Sequence, residues 1–432
     1  MFWTRFSQGV LALHLSVFTS SAATPFCVSS FTHDGLLAWT NATVPGICTV
    51  QRASLPQGPW APEHNSFEIA PSGGYLAGLT AERAFYRVKS LDVSPTKAGF
   101  TNFVSAYGVL ETIAGNGYGQ VDGVNYWQSW YENSLAQWAA LSRPHFAMAD
   151  RAGNVYIADK NSHSILKVTP AGIIQTFAGT HAGGFNGEGP APATSLQLNF
   201  PNGEWVLPDG TVYIFDTDNG RIRRVNTNGI MTTLFHATTD GSPVSTGRGL
   251  WVKSDESLAY FCAGTRVRKW TPGDGVKTLA SNFNELGNLI VETNGDLIVS
   301  DRGANSIYRV TPTGSSTVIA GNGLTTGGGD GFPALETGLY GVRGVWPVPT
   351  GGYLLLTHEG SQLWYMDSAG IVRVLLNGAS GKTHAGDGAY FYTPELKIGE
   401  GRSVTMDEEG NILLCEGDYG YIRRIRFLPL KP

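Results

Sequence analysis

Three stretches of this chain are copies of one another: GNVYIADKNSHSILKVTPAGIIQTFAG (153–179), GTVYIFDTDNGRIRRVNTNGIMTTLF (210–235) and GDLIVSDRGANSIYRVTPTGSSTVIAG (295–321). Each carries three runs of β-branched and aromatic residues separated by Gly- and Asn-containing turns, the pattern of short antiparallel strands. Weaker copies occur at 257–280, 351–376 and 410–429. A common register runs through Asp159, Asp216, Ala263, Asp301, His358 and Glu416, about every 51 residues. A further run precedes each copy, such as His145–Asp150 or Gly344–Val348, which makes four strands per repeat. Six repeats of four strands predict an all-β fold, a six-bladed β-propeller.

The last copy stops at Leu428-Pro429 without a fourth strand. The missing strand stands ahead of the first copy, as Leu110-Glu-Thr-Ile-Ala-Gly-Asn-Gly117. An N-terminal strand therefore completes the C-terminal blade, and the ring closes without open sheet edges. Residues 98–432 are assigned to this propeller.

Composition agrees. The chain has 56 glycines in 432 residues, against a usual share of about 7%. Charged residues make up 15% and aromatics 11%, which excludes a disordered chain and long solvent-exposed helices. A net charge of −5 provides no basic field for nucleic acid.

Residues 1–23 read as a signal peptide, with Arg5, a short apolar stretch from Gly9 to Phe18 and small residues at Ser20–Ala23. No segment is apolar for the roughly 20 residues a membrane span needs. The expectation is a secreted, periplasmic or surface-exposed monomer. Residues 24–97 alternate as a small β-sandwich, and Val93–Tyr107 reads as a linker. Cys27 and Cys48 lie together in this oxidising context and are candidates for a disulfide. Cys262 and Cys415 fall at the same position of opposite blades and cannot pair.

The repeats resemble NHL repeats, with Gly210–Gly229 closest to that family's strand–turn–strand pattern. Ala182–Asn199 and Gly327–Leu339 are similar to the "GDG…PAT…LN" linkers of exported bacterial NHL proteins. The segment around Trp39 and Phe85–Val88 resembles fibronectin type III-like modules. The NHL resemblance implies the fold and leaves function open, because such propellers include protein-binding, RNA-binding and lyase members.

The residue leading into each blade's innermost strand is expected at one mouth of the channel: His145, Asn202, Arg248, Gly287, Arg343 and Arg402. Three arginines in one mouth suit a carboxylate, sulfate or phosphate. Alternatively, Glu204, Glu285, Glu359 and Glu400 neutralise them. The same face is expected to collect the shared-register residues and the loops bearing His181 and His384. Histidines 145, 181, 358 and 384 are therefore weak candidates for a zinc site. The resemblance to NHL-type peptidylglycine amidating lyases, which use metal-bound channel histidines, points the same way. Acidic turns at Asp122, Glu188, Asp330 and Asp387 read as structural, with calcium the alternative. Trp127, Trp130, Tyr131, Leu135 and Trp138 fit one face of a helix roofing the channel, or else a sugar-stacking platform with Tyr340, Tyr390 and Tyr392. Serine-nucleophile and phosphate-loop motifs are absent.

The sequence therefore points to a recognition protein for an anionic extracellular ligand, an acidic glycan or acidic protein segment. Its ligand-binding candidates are His145, Asn202, Arg248, Arg343, Arg402 and His358, and no cofactor is required. The alternative is a lyase on acidic polysaccharide, metal-assisted or not, with His145 or Tyr340 as proton acceptor.

Overall fold

A computed structural model describes residues 12–13, 25–78, 84–238, 244, 246–378, 384–393 and 396–428. The chain falls into two compact units: Met1–Val109 with Val348–Gly352 and Ile425–Pro432, and Leu110–Pro347 with Tyr353–Arg424. The stretch read as a signal peptide lies outside the described residues, apart from Ala12–Leu13, whose backbone pairs in parallel with Phe85–Tyr86.

In the first unit, Cys27–Phe31, Leu36–Thr40 and Ser72–Leu76 form one sheet. Gly46–Ala53 forms another between Ala61–Glu68 and Phe85–Asp92. The alternation seen in the sequence turns Leu37, Trp39, Cys48, Val50, Tyr86 and Val88 into a shared core. Gly73 is required there, because a Cβ would stand 2.7 Å from the Trp39 indole nitrogen. Two expectations fail in this unit. Cys27 and Cys48 are free thiols: Cys48 is fully buried in one sheet, and Cys27 is half-buried in the other. The stretch expected as a linker contains the helix Lys97–Ser105, capped by the Thr96 hydroxyl accepting from Gly99 N at 2.9 Å.

Among the described residues the second unit contains six antiparallel sheets, five of four strands and one of five, in which the two-residue strand Ala191–Pro192 is added outside Ile230–His236. The innermost strands are Pro144–Ala149, Pro201–Val206, Leu250–Val252, Leu286–Val291, Val342–Pro347 and Gly401–Met406. Each packs against the next, and the sixth packs against the first. The outermost strand of the sixth sheet is Leu110–Ala114, beside Tyr421–Ile425, so the first strand of the second unit finishes its last blade. Val, Ile, Leu and aromatic side chains fill the spaces between successive blades. One such layer joins Phe146, Tyr156 and Ile165 of the first to Val212, Ile214 and Met231 of the second.

The interblade linkers are clips on the outer strands. Glu132 accepts from the Thr176 hydroxyl at 2.7 Å, Asp330 from Val374 N at 2.9 Å, and Asp387 from the Thr112 hydroxyl at 2.6 Å. Glu188 accepts from Arg221 at 2.9 Å and from the Thr233 hydroxyl. Each carboxylate holds the fourth strand of the blade its linker introduces. The acidic turns at Glu188, Asp330 and Asp387 are therefore occupied by strand partners, and Asp122 pairs with Arg143 at 2.7 Å.

Candidate functional site: the propeller mouth

The mouth residues are placed by a backbone device. In the first blade Pro144 pairs with Asp159 and Phe146 with Ala158, so His145 is an extra residue in the inner strand. Asn202, Arg343 and Arg402 occupy the same kind of slip in blades two, five and six. In blade four the slip spans Gly287 and Asn288. A β-bulge re-aims its extra side chain out of the alternating pattern. Arg248 leads into the shorter strand Leu250–Val252, with its N–H on Cys262 O at 3.3 Å.

The shared-register acids are struts and do not reach into the channel as ligands. Asp216 accepts from Asn199 N at 2.7 Å, Asp301 from Asn284 N and Glu285 N at 2.8 Å, and Glu416 from Gly399 N at 2.8 Å. Each carboxylate thus pins the loop that presents the mouth residue. Asp159 is fully buried in the equivalent place, and burial pushes its carboxyl up to about 7.

Two charge chains surround the mouth. One runs Lys160–Asp122 (3.4 Å), Asp122–Arg143 (2.7 Å), Arg143–Asp418 (2.9 Å) and on to Arg402. The other runs Arg248–Glu285 (2.8 Å), Glu285–Arg302 (2.9 Å) and on to Glu359. Glu285 therefore neutralises the mouth arginine Arg248, as the alternative expected, whereas Glu359 meets Arg302, which is not one of the mouth arginines. Glu204 neutralises none of these: it is fully buried, neither of its oxygens has a hydrogen-bond partner, and burial pushes its carboxyl well up.

Arg343 belongs to neither chain. It is 2% exposed, forms no ion pair among the described residues, and its Nη1 has no hydrogen-bond partner. Burial first, then the charges of Arg248, Arg402 and Arg302, push its guanidinium well below the ordinary arginine range. Burial and neighbouring cations also lower Arg402, to about 9. His145 is buried with neither ring nitrogen partnered, and burial followed by Arg402 and Arg343 holds it neutral. His358 is likewise held neutral, mainly by burial, with Nε2 3.6 Å from Glu400 and Nδ1 unpartnered.

A cavity of about 480 Å³ opens here, walled by His145, Asn202, Arg248 and Arg402. Arg143, Lys160, Phe200, Asp122 and Asp218 also line it, with Thr217, Val244 and Thr246, and were not singled out from sequence as mouth residues. Arg343 adjoins it electrostatically through Arg248 and Arg402, whereas Tyr340, 44% exposed, is not part of the wall.

The four histidines do not converge. His181 stacks on Trp127 with centroids 4.6 Å apart and sits 2.9 Å from the Thr176 hydroxyl. His384 lies 3.0 Å from Glu416 and stacks on Tyr421. The one group among the described residues whose donors could share a metal ion is His358, Glu400 and Asp418, one atom of each lying within 4.8 Å of the others. The aromatic segment also departs from expectation. It forms two short 3₁₀ turns, Ser129–Tyr131 and Ala136–Trp138, instead of one helix. Asn133 between them takes a φ of 62°, and Leu135 bridges to Ile173 at a blade edge, which aligns the segment with the outer strands and away from the cavity.

No family model matches this sequence, and no curated protein matches it. Solved structures do. A protein of unknown function from Bacteroides thetaiotaomicron superposes with a TM-score of 0.61 at 14% identity, over 94% of this chain and 99% of that one. An auxiliary nutrient binding protein from the same species gives 0.55 at 12% identity, over 93% and 98%. A protein of the same description from Bacteroides ovatus gives 0.55 at 11% identity, over 91% and 94%. At such identities the likeness is one of fold, and the fold shared with these neighbours is a β-propeller.

Proposed function

We propose that the propeller mouth binds an anionic extracellular ligand, an acidic glycan or an acidic protein segment. Arg248, Arg343 and Arg402 would supply the positive charge, with His145, Asn202 and His358 as hydrogen-bonding neighbours. The observation that carries this reading is Arg343, a buried guanidinium without a counter-charge of its own. An uncompensated buried charge is costly, and an incoming anion would compensate it at the mouth. The cavity falls within the usual size range of small-ligand sites, about 300–1,000 Å³. The description of two fold neighbours as auxiliary nutrient binding proteins agrees with a binding role. The N-terminal sandwich then serves as a fibronectin-like spacer.

A second reading rests on His145, which is neutral, unpartnered and in the cavity wall. Its free ring nitrogen is placed to accept a proton, as a lyase requires, provided that a bound uronate offsets the burial and the arginine charges that disfavour its protonation. His358, Glu400 and Asp418 would hold the metal if one assists, although Asp418 already pairs with Arg143 and Arg402. Incubation with immobilised acidic polysaccharides separates the readings. Retention without cleavage supports binding, whereas ultraviolet absorbance from unsaturated products supports the lyase. Retention unchanged by joint Arg248→Ala, Arg343→Ala and Arg402→Ala contradicts both.

A further inference from the structure

Three residues of the cavity wall share a conformation that L-amino acids rarely adopt. Arg143, Phe200 and Thr246 have φ of 64°, 49° and 52°. Each stands two residues before a mouth residue, His145, Asn202 and Arg248 respectively. Non-glycine residues persist in the left-handed region where surrounding structure holds them, and such positions gather at binding sites. In blade five the equivalent residue is Gly341, φ 63°, where a Cβ would collide with the Glu359 carboxylate. Blades one to three therefore contribute a cation, an aromatic ring and a hydroxyl at equivalent positions of the wall, which Arg402 of blade six joins.

The chemistry of that wall is mixed. Beside the cations stands Asp218, half-buried in the turn Thr217–Asn219 that follows the second blade's second strand. Its backbone N–H is bonded to Asn199 O at 3.0 Å, but its carboxylate accepts no hydrogen bond among the described residues. Burial raises its carboxyl and Lys160 opposes that rise, so it is held near a cation without being paired to one. A free carboxylate would repel a purely anionic ligand such as a run of acidic side chains. It would accept hydrogen bonds from a ligand that carries hydroxyls as well as a negative charge. The Asn202 side-chain oxygen, buried and unpartnered, offers a second acceptor in the same wall. Phe200, with Val244 nearby in the wall, adds an apolar surface suited to C–H groups.

We propose that the cavity takes one sugar-acid residue, a pyranose bearing a carboxylate, with its anionic group toward Arg248 and Arg402 and its hydroxyls toward Asp218 and Asn202. This rests on the anion-binding reading above and selects the acidic glycan over the acidic protein segment. A zwitterionic amino acid is disfavoured, because Lys160 beside Asp218 weakens the pull on an ammonium group.

The test is calorimetric titration of the full chain with galacturonate, glucuronate, galactose, cyclohexanecarboxylate and an oligoglutamate peptide, repeated on Asp218→Asn. The expected result is binding of at least one uronate, at least tenfold tighter than galactose or cyclohexanecarboxylate. Asp218→Asn should weaken that uronate at least fivefold and leave cyclohexanecarboxylate unchanged or tighter. If oligoglutamate or cyclohexanecarboxylate binds and neither uronate does, the sugar-acid assignment is wrong while the anion-binding reading stands. If none of the anions binds, both fail. Uronate binding that Asp218→Asn leaves unaltered overturns the assignment of the hydroxyl acceptor. Circular dichroism and thermal unfolding of Asp218→Asn, a near-isosteric change at a turn, check that the fold is kept.

Discussion

Arg343→Met should make the protein more stable while weakening its affinity for anions. The wild-type guanidinium is 2% exposed, has no ion pair among the described residues, and is disfavoured by burial and by Arg248, Arg402 and Arg302. Glu285 offsets only part of this, because its carboxylate already serves Arg248 and Arg302 at 2.8 and 2.9 Å. Replacing buried charge with an apolar side chain of similar volume typically gains about 1–4 kcal/mol. With the Glu285 attraction deducted, about 1–3 kcal/mol is expected here. That corresponds to a rise in Tm of several degrees. The matched control is Arg302→Met. Arg302 bridges Glu285 and Glu359, so its removal leaves two carboxylates without their shared cation and should cost about 1–3 kcal/mol. Urea denaturation in low-anion buffer measures both. If Arg343→Met destabilises by more than about 1 kcal/mol while Arg302→Met is harmless, the view of Arg343 as an uncompensated charge is wrong.

Other expectations follow from the same geometry. Asp159 has its carboxyl raised from 3.8 to about 7 by burial, so its contribution favours the fold below pH 3.8 and is lost as pH rises to about 7. The stability of Asp159→Asn relative to wild type should therefore climb between pH 4 and 7, by on the order of 3–4 kcal/mol, and level off above. A flat difference across that range contradicts the burial account. Gly341→Ala should cost about 1–3 kcal/mol, from positive φ and the collision with Glu359, and should lower anion retention by displacing the loop before Arg343. Leu110→Ala, a fully buried change in the closing strand, should cost about 2–5 kcal/mol. A loss under about 0.5 kcal/mol in thermal unfolding would mean that strand does not complete the last blade.

The parts of this fold legible in the sequence were those set by local periodicity. Val155–Asp159, Val212–Asp216 and Leu297–Asp301 are β-rich runs ended by turn residues, and their repetition made the blades countable. The placement of Leu110–Ala114 followed from a copy that lacked its last strand. The mouth residues were legible because each stands at a fixed offset from a repeat. What stayed hidden was set by tertiary backbone geometry. Nothing in the residue types of Arg143, Phe200 or Thr246 signals a left-handed conformation. The acids at Asp216, Asp301 and Glu416 resemble exposed ligands until their N–H partners three residues before each mouth residue are seen. The 127–138 segment has helical spacing, yet Asn133 and the Leu135–Ile173 bridge override it. The histidines failed as a group because loop residues such as His181 and His384 find local partners.

The most direct test is a crystal structure of the full chain grown with galacturonate or a short acidic oligosaccharide. The account predicts the ligand carboxylate within hydrogen-bonding distance of Arg248, Arg343 or Arg402, in the cavity beside Phe200. A ligand bound only on the outer strands or the N-terminal sandwich, with the mouth arginines untouched, would contradict it.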